Sequence, residues 1–464
     1  MSAEETNRRF LVALAAIALA ALVVRVVFIV VVDPTVPALG DASAYRLLAE
    51  QLAHGQGYIR PFDNLLLHVH RPTAEYPPLF PLLLSIPVRL GLHSVEQLRI
   101  FIAFVGAGTV ALVGLLGRRV ASPVVGLVAA ALAAVYPMLF LPEATLMAES
   151  LYAALVTMVL LAAYRAFDDP SAPRFVVLGL AIGLATLTRA EGLLLGIVVV
   201  VPLGFWLRAL PVRVRVGRVA VALAVAVAVL VPWTIRNAIR FHTFIPVSNN
   251  VSTLIDGANC DATYYGPQIG LWRETFSQPT TGGSAATGSA TVPQAQACFE
   301  GFDIADPHFD EAQAARTHTS AGLNYARDHK RTLPKVAIVR VLRTWGAYAP
   351  RQQVAFESLE GRPRAWQLRG TVMYWIVLPF AIAGAVVLRR RRRLLWPLAA
   401  TAVTVTLVAA ATYGQQRFRI AAEPAILVLA GVVVDALWLA WRAGREQRDS
   451  TTAAPPIGTS EPIG

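Results

Sequence analysis

Ten stretches of this chain are long and apolar enough to cross the ~30 Å hydrocarbon core of a bilayer, and that leaves few folds open. They lie near residues 10–32, 98–117, 122–141, 145–164, 174–188, 191–208, 218–235, 368–388, 394–412 and 421–441. Lipid satisfies no backbone hydrogen bonds, so segments of this kind are expected to be helices. Composition agrees, because 56% of the 464 residues are hydrophobic and only 15% are charged, which no soluble domain needs. The expected fold class is an all-α polytopic membrane protein with about ten transmembrane helices. The run after Arg8 and Arg9 has no small-residue cleavage site and is expected to remain as a span.

An eleventh candidate, "YPPLFPLLLSIPVRLGL" at 76–92, contains four prolines, and whether it crosses decides the side of every later loop. Suppose the N-terminus is cytoplasmic and 76–92 does not cross. Arg118 and Arg119, the stretch 165–174, "RALPVRVRVGR" at 208–218, the arginine run 389–393 and the tail from Arg442 then all face the cytoplasm, as the positive-inside rule asks. If it does cross, every basic cluster moves outside. The segment therefore reads as a re-entrant or interfacial helix. Residues 1–235 become an N-terminal transmembrane module, with a first external loop at 33–97 carrying juxtamembrane helices at 41–54 and 76–92. An external loop domain follows at 236–366, then C-terminal transmembrane helices at 367–444 and a disordered cytoplasmic tail at 445–464. The expected location is the plasma membrane, with both termini cytoplasmic. The net charge of +12 is nearly all arginine placed by this topology, with lysine only at Lys330 and Lys335, and implies no nucleic-acid partner.

The long external segment includes a Gly/Ser/Thr/Ala tract at 280–290, read as a flexible excursion, and both cysteines, Cys260 and Cys298. In an oxidising compartment a disulfide between them is the natural expectation; two buried thiols are the plainer reading. "PKVAIVRVLRTWG" at 334–346 puts Ile338, Val341, Leu342 and Trp345 on one helical face and Arg340 and Arg343 on the other, the pattern of a helix lying on the outer leaflet.

Idle charge at a membrane boundary is expensive, and this topology gathers it on the external side. Asp41, Glu75, Glu143, Glu149, Arg189, Glu191, Arg236 and the Arg417, Arg419 and Glu423 of "QQRFRIAAEP" all fall there. Plainer roles exist. Asp41 after Gly40 and Glu143 after Pro142 fit helix caps, and Arg189 fits a headgroup anchor. Arg417 and Arg419 run against the positive-inside bias, so an anion is expected to hold them, either Glu423 or a lipid phosphate. His54, His68, His70 and His93 show no metal-ligand spacing.

Six motifs, in this order, resemble the glycosyltransferase family 39 type: "GDASAYRLLAEQLAHGQGY", "RPTAEYPPLFPLLL", "YPMLFLPEATLMAESL", "GLATLTRAEGLLL", "VPWTIRNAIRFHTFIPVSNN" and "YGQQRFRIAAEPAILVLAG". This is the GT-C group that contains protein O-mannosyltransferases and the aminoarabinose transferases of lipid A. The similarity runs from about residue 10 to 440, and "NCDATYYGPQIGLW" is similar to versions from high-G+C Gram-positive bacteria. The resemblance implies a GT-C fold and an inverting transferase with its active site on the external face. There no nucleotide sugars exist, so the implied donor is a polyprenyl-phosphate sugar, and the acceptor is a glycan, lipid or protein hydroxyl. It implies Asp41 as catalytic base and matches Glu143 to the family's second acid, as a ligand or support. Arg71, Arg189, Arg417 and Arg419 are the candidates for the donor phosphate, and Tyr45, Tyr76 and His70 for substrate binding or support. Tyr76 stands where the lipid A branch has a lysine, and Ala42 where relatives often carry a second acid. No cofactor is certain; a divalent cation is a candidate, and the lack of a paired carboxylate at Ala42 counts against it. Two other readings stay open: a transporter or flippase of lipid-linked sugars, and an inactive scaffold of the same fold.

Overall fold

The computed structural model describes residues 2–32, 40–273, 298 and 309–452. Its first helix, α1 (Ala3–Val32), sets the direction of the rest. Near its start Arg118 lies over the Phe10 ring and donates to Asn7 Oδ1 at 2.7 Å. Near its finish Phe28 and Ile29 pack with Ala103, Phe140 and Trp366. Three short helices follow: α2 (Asp41–Ala53), α3 (Pro61–Leu67) and α4 (Leu79–Arg89). The long α5 (Val95–Val120), opened by a Ser94–Gln97 capping box, then returns to the end where α1 began. The three short helices thus start and finish at one end of the bundle. At 1.5 Å per residue, α4 is roughly 16 Å long, about half a bilayer core. It lies against α2, with Phe80, Leu84 and Val88 packed on Tyr45 and Leu48.

The chain then passes back and forth. α6 (Pro123–Val135) and α7 (Pro137–Ala144) form one pass bent by 46°. The bend falls where Pro137 supplies no N–H to the helix ladder. α8 (Glu149–Asp168) and α9 (Ala172–Thr188) come next. α10 (Gly192–Leu195) and α11 (Val201–Trp206) are joined through a π-helical turn, Gly196–Val200, and α12 (Val212–Phe241) follows. Gly179 of α9 lets α12 approach closely, since a Cβ there would come within 2.3 Å of the Ala222 carbonyl oxygen.

Beyond α12 the described residues form five helices: α13 (Asn250–Gly257), α14 (Asp261–Tyr264), α15 (Glu311–Asp328), α16 (Leu333–Thr344) and α17 (Pro350–Ser358). The bundle closes with α18 (Arg364–Arg390), α19 (Trp396–Ala411), a 3-10 turn (Gln416–Ala421) and α20 (Glu423–Thr452). Among the described residues six helices, α1, α5, α8, α12, α18 and α20, are each long and apolar enough to cross a membrane, and the bent α6–α7 pair makes up to seven. The other expected spans, α9, α10–α11 and α19, are apolar helices in the 10–17 residue range, short for a full core.

The two ends differ in charge. At one, Arg119 pairs with Asp168, and Asp435 accepts from Ser122 at 2.9 Å beside Arg391. The basic loops gather there; Asp41, Arg189 and Arg417 are at the other end.

Two expectations need correction. α16 is amphipathic, but its charged face is turned inward: Arg340 and Arg343 are 1% and 0% exposed, while Ile338 is 61% exposed. Their guanidinium groups donate to backbone carbonyls of the preceding loop, Arg340 Nη2 to Ala258 O and Arg343 Nε to Ile269 O, each at 2.6 Å. Loop carbonyls, with Asn259 Oδ1 and Gln352 Oε1, accept from several of their N–H groups. The segment expected to be an irregular tail from 445 is helical as far as Thr452; the rest of it, and the 280–290 tract, lie outside the described residues.

Cys260 and Cys298 form the expected disulfide, with Cα atoms 5.4 Å apart. Cys260→Ser is expected to cost about 2–4 kcal/mol in the unfolding of the α13–α16 region. Limited proteolysis should register it as faster cleavage there with the bundle fragments unchanged.

Candidate active site

Asp41 is the first residue of α2, where the helix dipole favours a carboxylate. The N-cap position belongs to Gly40, whose φ of +132° suits glycine. Asp41 is thus not the cap that its sequence context allowed, and its oxygens turn to other elements. Oδ1 accepts from the Tyr76 hydroxyl at 3.2 Å and Oδ2 from Arg417 Nη1 at 3.1 Å. Tyr76 is held by edge-to-face stacking on Tyr45, which stacks in turn on Phe80, with centroids 5.0 and 5.1 Å apart. Burial, with the Glu75 and Asp41 carboxylates beside it, pushes the Tyr76 phenol up, so it stays protonated and donates.

Arg417 sits in the 3-10 turn before α20 and joins several strands of the site. Its Nη1 also reaches Glu360 Oε1 at 2.9 Å, and its Nε lies 3.5 Å from Glu149 Oε1. Its backbone N–H donates to Glu357 Oε1 at 3.2 Å. Burial alone would lower this guanidinium; Glu360, Glu149 and Asp41 more than reverse that and hold it charged. Arg189, just after α9, lies 3.0 Å from the same Glu149 oxygen and 2.5 Å from Glu191. The Phe418 ring lies 5.7 Å from Arg189 and 5.8 Å from Arg417. The side chain of Asp41 is 28% exposed and that of Glu360 24%, against 1% for Glu149. An incoming molecule can therefore reach Asp41, while Glu149 is sealed beneath the two arginines.

Of the expected residues, Asp41, Tyr45, Tyr76, Arg189 and Arg417 come together. The others do not. Glu143 is buried against Arg25 of α1, Oε2 to Nε 2.7 Å. Arg25 also donates to the Ala134 carbonyl at 3.1 Å, next to the bend between α6 and α7. Gly106 leaves room for this carboxylate, since a Cβ there would fall 2.2 Å from it. Arg419 is fully buried, bound to Glu423 Oε1 at 2.5 Å with its guanidinium 3.5 Å from the Tyr374 centroid. Glu423, which also accepts from the Tyr136 hydroxyl at 2.8 Å, is thus the anion that holds it. Arg71 donates to Asp63 Oδ2 at 3.1 Å in a neighbouring group with Arg60 and Glu311. Glu75 lies between the two groups, and burial, opposed by Arg60 and reinforced by Glu311 and Asp41, pushes its carboxyl up to about 7. His70 is exposed on the loop after α3. Among the described residues no group of three or more His, Cys, Asp or Glu side chains is arranged to hold a metal ion; the acids around Asp41 are instead tied to arginines.

Sequence reasoning noted Glu149 only as a boundary acid and missed Glu357, Glu360 and Arg362. Glu357 is buried and accepts from Arg362 at 3.2 Å and from Gln367, so it fastens the turn after α17 under Arg417. The charges in "FESLEGRPR", directly ahead of an apolar run, were a visible signal of the same boundary kind.

Residues 75–235 match the model of the dolichyl-phosphate-mannose-protein mannosyltransferase family. The matched segment holds Tyr76, Glu149 and Arg189 but neither Asp41 nor Arg417. The whole chain is similar to the archaeal oligosaccharyltransferase AglB from Archaeoglobus fulgidus in complex with an inhibitory peptide and a dolichol-phosphate. That similarity has a TM-score of 0.53 at 14% identity and covers 99% of this chain and 53% of that one. The fold is that of the GT-C membrane glycosyltransferases. A second structure of the Archaeoglobus fulgidus oligosaccharyltransferase, tethered to an acceptor peptide, gives a TM-score of 0.53 at 15% identity over 97% of this chain and 52% of that one. ArnT from Cupriavidus metallidurans bound to undecaprenyl phosphate gives a TM-score of 0.40 at 14% identity, over 93% and 78%. The chain spans about half the length of the oligosaccharyltransferase chains it matches. No curated protein matches its sequence.

The Arg25–Glu143 pair makes a sharp expectation. Glu143→Ala strands a buried arginine and should cost about 3–5 kcal/mol, whereas the Arg25→Met/Glu143→Leu double variant should lose far less. Thermal unfolding in lipid nanodiscs measures both, and a double variant less stable than Glu143→Ala would contradict a purely structural pair.

Proposed function

We propose that the protein is a membrane glycosyltransferase that moves a sugar from a polyprenyl-phosphate donor to an acceptor hydroxyl, with inversion at C1 and Asp41 as general base. The carrying observation is the cluster in which a reachable carboxylate, Asp41, is paired with Arg417, which shares the buried Glu149 with Arg189. In the step envisaged, Asp41 takes the proton of the acceptor hydroxyl as its oxygen bonds to C1. The C1–O bond to the phosphate breaks, and its electron pair leaves on the phosphate oxygen. Arg417 spends Nη1 and Nε on acids, and Arg189 spends Nη1 and Nε likewise. The Nη2 group of each is available to the leaving phosphate, whose growing charge such donors stabilise. Tyr76 orients Asp41 by donating its hydroxyl proton in a hydrogen bond to Oδ1.

The polyprenyl-phosphate donor is supported by the family description and by the dolichol-phosphate bound to AglB. The external location of the site, with both termini cytoplasmic, is supported by the gathering of the basic loops at the opposite end of the bundle.

Asp41→Asn should slow transfer from a polyprenyl-phosphate sugar by roughly 10²–10⁴-fold with the unfolding temperature retained, and Tyr76→Phe should slow it less. A folded Asp41→Asn protein that transfers at the unaltered rate would remove Asp41 from the role of base.

A further inference from the structure

Between Ile59 and Pro72 the chain makes a short finger built on α3. Its base is closed by an antiparallel bridge between those two residues and by the Arg60 N–H, which donates to the Arg71 carbonyl at 2.7 Å. Asp63, 1% exposed, accepts from Arg60 and Arg71 at 3.0 and 3.1 Å, so the acid of α3 is turned inward. The outward side is apolar and bare. Leu65, Leu66, Leu67 and Val69 are 36–51% exposed, with only His68 between them and His70 after. Consecutive exposed apolar residues on a polar-rooted loop mark a surface that meets an apolar partner.

Two membrane-length helices fix the height of this finger. At its base, Arg236 donates to the carbonyls of Tyr58 and Thr73, each at 2.7 Å, and Arg236 stands directly after the apolar run 218–235 of α12. At its tip, His68 and His70 line one opening with His54, whose ring faces that of His93 with centroids 6.4 Å apart. His93 lies two residues ahead of α5, which like α12 is long and apolar enough to cross a membrane. Base and tip thus both stand where a span ends, and α3 runs along that boundary instead of out into water. The bare side is continued by exposed apolar residues on its neighbours, Ile235 and Ile239 of α12 and Leu90 and Leu92 beside His93. Imidazole rings, apolar in body and polar at the edge, suit the same depth.

We propose that the finger is a membrane anchor, lying in the headgroup layer with Leu65, Leu66, Leu67 and Val69 set into the upper acyl chains. Residues 64–70 carry no acid, lysine or arginine, so attachment rests on apolar burial and not on attraction to anionic lipid. The proposal goes beyond the transfer reaction and holds whether or not Asp41 is its base. Its consequence reaches the site all the same. The Tyr58 hydroxyl at the root of the finger donates to the Tyr76 carbonyl at 3.0 Å, and Arg60 reaches Glu311 of α15 at 3.2 Å. The anchor therefore sets the height of Tyr76, the partner of Asp41, and of α15 over the lipid.

The test is quenching of a bimane label on the full chain in phosphatidylcholine nanodiscs. Both native cysteines are paired, so Leu66→Cys supplies a single reactive thiol, and Ser320→Cys, exposed on α15, is the aqueous reference. The label at Leu66→Cys should be quenched by lipids carrying a nitroxide at the headgroup or at the top of the acyl chain, which places it about 5–10 Å into the boundary. Its quenching by iodide should be severalfold weaker than at Ser320→Cys. Val69→Cys gives the same reading should Leu66→Cys not fold. Iodide quenching equal to that at Ser320→Cys would overturn the proposal, because the finger would then stand in water. Protection from both iodide and nitroxide lipid would overturn it as well, since a second copy or another protein would then cover the leucines. Neither result bears on the loss of transfer expected of Asp41→Asn, so failure of the anchor and failure of the transferase reading are told apart.

Discussion

A guanidinium buried at the edge of an apolar bundle cannot remain there without anions, and Arg417 draws them from across the chain. Asp41 opens α2, Glu149 opens α8 and Glu360 follows α17, yet all three reach this one side chain. Removing a charge from water costs several kcal/mol unless it is well paired, so the docked position of the turn that carries Arg417 depends on those elements being beside it. Glu149 then passes the constraint on to Arg189, and Tyr76 ties α4 to α2 through Asp41. The short helices, the turn after α9 and the turn before α20 are thereby fixed relative to one another.

Other buried charges in the same protein do something different. Arg25–Glu143 and Arg419–Glu423 are closed pairs with side chains no more than 3% exposed. Arg340 and Arg343 are spent on backbone carbonyls. These groups stitch helices and loops together and are sealed from the outside. The Asp41 group differs in having one open side, and that asymmetry, more than the number of charges, is the ground on which we propose it as the reactive site.

Hydrophobic length was enough to locate the apolar helices of the bundle, though α9, α10–α11 and α19 are shorter than a full span, and α4 is likewise a short apolar helix. Together with the arginine distribution it was also enough to bring the outlying acids and arginines to one end. Which charges would meet was not legible. Asp41 and Arg417 are 376 positions apart, and no local pattern records that pairing. Glu143 and Glu149 look equivalent in sequence, but the chain between them breaks its helix and takes Leu146 through φ +57°, so one acid faces α1 and the other faces the site. α16 misled for a related reason: helical periodicity reports two faces but not which one finds partners, and here the carbonyls of the 258–269 loop claimed the arginines.

The central claim is that the Asp41–Arg417–Glu149–Arg189 group is where a lipid-linked sugar reacts. The most direct test is a cryo-EM structure of the full chain in lipid nanodiscs with a bound polyprenyl phosphate. The account predicts the phosphate within hydrogen-bond reach of Arg417 and Arg189, beside Asp41. Phosphate density at the Arg71–Asp63 group, or anywhere out of reach of both arginines, would contradict it.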